Sequence, residues 1–88
     1  MLRIVSQNRN VDLPYEQAAL EIDMDTALDK FVVRAYCGED TEATMGIYST
    51  KERAILAMAK LRGTYLDCNN DYHGFVTNDV FLFPPDKE

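Results

Sequence analysis

Apolar and polar residues change their spacing along this chain, and each change marks an element. Leu2 to Val5 is a short apolar run, and Ser6-Gln7-Asn8-Arg9-Asn10 is turn chemistry that reverses the chain. Val11-Asp12-Leu13 alternates as a second strand, and Pro14 lacks the backbone donor a central strand needs, so this piece is an edge strand or ends at Leu13. Tyr15 to Ile22 fits two periods. Ala18, Ala19 and Leu20 favour helix by propensity, whereas Ala18, Leu20 and Ile22 alternate with Ala19, Glu21 and Asp23. The strand reading is preferred, with Asp23 to Asp29 as an acidic turn. Phe31 to Cys37 is the most strand-like run, Gly38-Glu39-Asp40 is a turn, and Glu42 to Tyr48 returns as a hairpin.

The period then changes to that of a helix. Ser49-Thr50-Lys51-Glu52 fits a capping box, with Ser49 accepting from first-turn amides and Glu52 reaching back. Ala54, Ile55, Met58, Leu61, Tyr65 and Leu66 are expected on one apolar arc, with Lys51, Arg53, Lys60 and Thr64 opposite. Gly63 weakens the last turns, and Cys68-Asn69-Asn70-Asp71 ends them. Phe75-Val76 and Val80 to Phe83 read as a last hairpin or a bulged strand stopped by Pro84-Pro85. The expected class is α+β: one antiparallel sheet of about five or six strands with a single amphipathic helix packed on a face.

Eighty-eight residues make one domain, 1–88, and 47% apolar residues suffice for a core. A domain this small hides a modest share of its surface, so a homodimer is a reasonable expectation. No apolar run approaches the length of a membrane helix, and the N-terminus is too short in its apolar part for a signal peptide. A cytoplasmic location and reduced Cys37 and Cys68 follow as expectations. The net charge of −6 opposes general nucleic-acid affinity. Nine acids face two cations between Asp12 and Glu42, whereas four cations face one acid between Ala43 and Leu66.

Candidate chemistry is sparse. Asp23-Met24-Asp25 has the paired aspartates of the DxDxT words of aspartate phosphotransferases of the haloacid dehalogenase type, but Thr26 falls one position early, and that site needs a parallel sheet and a far longer chain. Asp23, Asp25 and Asp29 lack the central glycine and closing glutamate of a calcium loop. Cys68 and His73, beside Asp67 and Asp71, supply too few ligands for structural zinc and no oriented base for a nucleophile. The four glycines are isolated, so no phosphate loop exists. No catalytic residue, metal or cofactor is expected, and the chain is read as a non-enzyme. Arg62, at the edge of the arc, is expected to cover sheet surface with its stem.

Ile4-Val5-Ser6-Gln7-Asn8 leading into Asp12-Leu13-Pro14-Tyr15-Glu16, then Tyr48-Ser49-Thr50-Lys51-Glu52-Arg53-Ala54, Met58…Leu61-Arg62…Tyr65 and Phe81-Leu82-Phe83-Pro84 together resemble a family. It is a set of short proteins encoded by phages and prophages of Gram-positive bacteria. The resemblance implies an accessory product that binds a host or phage protein, and transfers no functional residue. The charge layout adds an acidic surface of Asp23, Asp25, Asp29, Glu39, Asp40 and Glu42 that imitates phosphates toward a nucleic-acid-handling or CRISPR enzyme. The alternative is a nucleic-acid-binding dimer using Lys51, Arg53 and Lys60.

Overall fold

A computed structural model describes residues 2–69 and 80–86, with the backbone alone for 67–69. The strands are β1 (Arg3–Val5), β2 (Asp12–Pro14), β3 (Ala18–Asp25), β4 (Lys30–Cys37), β5 (Thr41–Tyr48) and β6 (Val80–Leu82). A 3-10 turn covers Tyr15–Gln17, and the helix α1 covers Lys51–Asn69. The α+β class is as expected. The single sheet is not: the strands form two three-stranded sheets, ordered β2-β1-β6 and β3-β4-β5.

Local chain geometry explains the split. Pro14 pairs with Arg3 on the edge strand β2, and the 3-10 turn that follows breaks the chain before β3. β3, β4 and β5 then form the expected antiparallel meander. β6 pairs parallel with β1, Ile4 opposite Phe81. Phe75-Val76, expected as the other half of a last hairpin, lies outside the described residues. The strand reading of Tyr15 to Ile22 holds only from Ala18, because Tyr15–Gln17 is the 3-10 turn, and β3 runs on to Asp25, so Asp23 and Asp25 belong to the strand and only 26–29 form the turn. There Asp25 Oδ1 accepts from the backbone N–H groups of Ala27 (3.0 Å) and Leu28 (3.2 Å), and Asp29 takes a left-handed φ of 53°. A short polar side chain tolerates that conformation better than a branched one.

The core joins both sheets. Leu2, Ile4, Val33, Ala35, Met45, Tyr48, Ala54, Ala57, Leu61 and Phe83 form one buried cluster. Its most particular contact is in β5. Met45 is the extra residue of a bulge opposite Val33 and Arg34, which turns it inward. Next to it, a Cβ on Gly46 would lie 2.7 Å from the Tyr48 ring, so only glycine lets that ring lie flat across the strand. The Tyr48 hydroxyl donates to the Pro84 carbonyl at 2.8 Å.

Gln7 ties the two sheets. Its backbone N–H donates to the Met45 carbonyl (2.8 Å), and its Oε1 accepts from the Ile47 N–H (2.8 Å). Its Nε2 donates to the Pro84 carbonyl at 2.7 Å. One side-chain amide thus stands in for a neighbouring strand along the β5 edge, where unpaired backbone groups would otherwise be exposed.

The helix begins one residue later than expected. Thr50, not Ser49, caps it: Thr50 Oγ1 accepts from the Arg53 N–H at 3.2 Å. Ser49 donates both its N–H (2.9 Å) and its hydroxyl (3.2 Å) to Asp86 Oδ1. The apolar arc also differs. Ala54, Ala57 and Leu61 are buried and Met58 and Tyr65 half-buried, while Ile55 and Leu66 point to solvent. Thr64, expected opposite the arc, is half-buried and donates back to the Lys60 carbonyl at 2.9 Å. Tyr65 stacks at a tilt on Tyr15, with ring centroids 4.7 Å apart.

Candidate interaction surfaces

Cross-strand partners share a face, so the register of β3-β4-β5 sorts its side chains. Leu20 lies opposite Ala35 and Ile22 opposite Val33 on the core side. Glu21 lies opposite Arg34, Asp23 opposite Val32 and Glu42 opposite Tyr36 on the outer side. Arg34 is the centre of that outer face. Its Nη1 is 3.4 Å from Asp23 Oδ2 and 3.7 Å from Glu42 Oε1. Beside it, the Tyr36 hydroxyl donates to Glu21 Oε1 at 2.6 Å. That bond to Glu21, with some burial and the charges of Glu21 and Glu42, raises the Tyr36 pKa above the ordinary tyrosine value. Three carboxylates and one phenol therefore surround a single guanidinium. Both acids paired with Arg34 are about half exposed, so their attraction to it is modest and salt-screened.

The six acids expected as one surface divide into three groups. Asp23 and Glu42 flank Arg34. Asp25, the last residue of β3, and Asp29, in the turn that follows, already have backbone roles in their geometry. Glu39 and Asp40 lie beside Gly38 in the β4–β5 turn, at the far end of β4, a strand about 23 Å long at ~3.3 Å per residue. Glu21, absent from the expected set, joins the central group because β3 alternation places it on the same face as Asp23. Strict period-two counting from Asp23 was the signal that finds it.

The expected basic surface also divides. At about 100° per residue, Arg53 and Lys60 fall together, and Lys51 falls about half a turn away, near Arg62. All four are exposed. Arg53 and Lys60 line a depression of about 290 Å³ with Tyr48, Leu56, Pro84 and Asp86. Arg53 Nη1 approaches Asp86 Oδ1 at 4.0 Å. The hydrogen bond from the Ser49 N–H, opposed by partial burial and aided by the Ser49 hydroxyl, Arg53 and Lys30, holds Asp86 below the usual aspartate range. Burial, with the Asp86 charge nearby, pushes Tyr48 up to about 12, against a lowering contribution from Gln7. Lining of this kind joins the chain after β6 to the start of α1.

Among the described residues no group of three His, Cys, Asp or Glu side chains is placed to hold a metal ion. Cys37 is a free, half-buried thiol. His73 and the Cys68 side chain lie outside the described residues. No described helix is long and apolar enough to cross a membrane. Comparison with known proteins finds no matching family model, no matching curated protein and no matching solved structure.

Proposed function

We propose that this chain is a non-enzymatic accessory protein of the phage type that binds and modulates a host protein through the outer face of β3-β4-β5. In this reading α1 lies across the inner face of that sheet, which the shared burial of Ala54, Ala57 and Leu61 with Val33, Ala35 and Met45 supports. The observation that carries the proposal is the outward group of Glu21, Asp23, Glu42 and Tyr36 around Arg34. Its acids are exposed and its tyrosine offers an amphipathic surface of the kind favoured at interfaces. The complementary partner has a basic surface with planar guanidinium groups, as enzymes that handle nucleic acid do, CRISPR effectors included. The phage-type origin rests on the sequence words alone. The basic-face alternative loses support, because Lys51 does not share a side of α1 with Arg53 and Lys60.

Capture from bacterial lysate by the immobilised chain, with identification of what is retained, tests this. The triple variant Glu21→Gln/Asp23→Asn/Glu42→Gln is expected to lose the principal partner, while Glu39→Gln/Asp40→Asn keeps it. If the triple variant retains every partner, the outer face is a solvated surface and the proposal fails.

A further inference from the structure

The helix α1 has two apolar faces, and the core uses one of them. On the other, Ile55, Leu56 and Leu66 are 50%, 53% and 54% exposed. Projected at about 100° per residue, they share with Ala59 and Gly63 an outward arc about 100° wide and about 16 Å long. Single exposed leucines need no explanation, but a contiguous stripe does. Leu56, Ala59, Gly63 and Leu66 follow the three-four-three spacing of a helix-pairing seam.

Gly63 lies within this stripe. Glycine inside a helix is disfavoured relative to alanine, yet α1 runs through it without interruption. A Cβ added there would meet nothing within 4 Å, so no internal contact calls for glycine. With Ala59 one turn before it, Gly63 leaves a notch between Leu56 and Leu66 where a second backbone can approach closely.

The borders of the stripe say what fits. Lys51 and Arg62 line one side, Arg53 and Lys60 the other, and Glu52 closes its N-terminal end. A second copy of the chain, in either orientation, would bring these cations against their counterparts. A net charge of −6 disfavours an anionic bilayer, and a flat lipid surface gains nothing from a notch. We propose that the outward stripe of α1 is a docking site for an amphipathic helix of another protein, its apolar face bordered by acidic residues. The site shares no residue with the outer sheet face and does not depend on it.

The test uses two labelled synthetic heptad-repeat peptides, both with leucine at the seam, one bordered by glutamate and one by lysine. Like charges at the borders keep each peptide from pairing with itself. Fluorescence anisotropy is expected to show saturable binding of the acidic peptide only. Leu56→Gln/Leu66→Gln should weaken it by at least about tenfold. Gly63→Gln should weaken it as well while holding or raising the melting temperature, which separates lost docking from lost folding. Glu21→Gln/Asp23→Asn/Glu42→Gln should leave it intact, so the two surfaces fail independently. The proposal is overturned by equal binding of both peptides, or by no binding up to on the order of 1 mM. Binding that the stripe variants leave unchanged overturns it too. A stripe-dependent homodimer in sedimentation assigns the face to a second copy instead. Stripe-dependent co-sedimentation with phosphatidylserine vesicles assigns it to lipid.

Discussion

Replacing Gln7 with alanine removes the side-chain link between the two sheets while leaving every strand, and the backbone bond from residue 7 to Met45, in place. The Ile47 N–H loses its acceptor and the Pro84 carbonyl loses one of its two donors, Tyr48 remaining as the other. Two ordinary hydrogen bonds are worth about 2 kcal/mol, and a stranded, partly buried N–H adds roughly 1 kcal/mol. Freeing a side chain with glutamine's rotamers returns up to about 1.5 kcal/mol. The expected net loss is about 1.5–3 kcal/mol, against a total stability of roughly 4–13 kcal/mol for a chain this size. Urea unfolding followed by far-ultraviolet circular dichroism measures it. At an m-value of about 1 kcal/mol per molar, the midpoint should fall by ~1.5–3 M with little change in slope. Gln7→Glu provides a second reading of the same site. Its carboxylate can still accept from Ile47, but it sets an oxygen against the Pro84 carbonyl, so this variant should regain stability as acid protonates it. A Gln7→Ala midpoint matching the parent, or a Gln7→Glu variant equally stable at neutral pH, would refute the inter-sheet role.

Thr50→Ala should cost about 1 kcal/mol through the lost cap, with helix fraying seen by amide exchange. Ser49→Ala should cost less, because the Ser49 backbone N–H keeps its bond to Asp86; the reverse order would return the cap to Ser49. Tyr48 ionises at about 12 in the fold against 10.0 in the unfolded chain. Its contribution is therefore complete below pH 10 and is lost as pH climbs from there toward 12. Tyr48→Phe should flatten that part of the alkaline unfolding profile, and tyrosinate absorbance of the variant should lack one late-ionising phenol of the parent, Tyr36 remaining as the other raised one. An unchanged alkaline slope in Tyr48→Phe would count against the assignment.

What was legible in the sequence was whatever short-range patterning decides. Phe31 to Cys37 and Glu42 to Tyr48 announced β4 and β5 because alternation and β-branching act within a few residues. The left-handed turn at Gly38 (φ 75°) followed from the same local chemistry. The second sheet was not legible, since nothing near Val80 to Leu82 indicates a parallel partner at Arg3 to Val5. The helix shows a subtler limit. Ile55 and Leu66 are as apolar as Leu61, and only the position of the sheets selects Ala54, Ala57 and Leu61 for the core. The acidic surface divided for a similar reason: linear charge counting ignores that β4 separates its two flanking turns. Glu21 was readable by strict alternation, whereas its bond to Tyr36 required the register.

The pairing of β1 with β6 also sets an order of events during synthesis. The β3-β4-β5 meander has only neighbouring strands to find and can form while the chain is still growing. The other sheet cannot be completed until the segment beyond Val80 emerges, and its Gln7–Pro84 bond spans 77 residues. Closing so long a loop is slow relative to making hairpins. Until then Leu2, Ile4 and the Tyr48 ring wait for Phe83 and Pro84 to cover them. A nascent chain arrested before Val80 should therefore be the form that chaperones hold and proteases clear, and release of the last strand should commit the molecule to its native state.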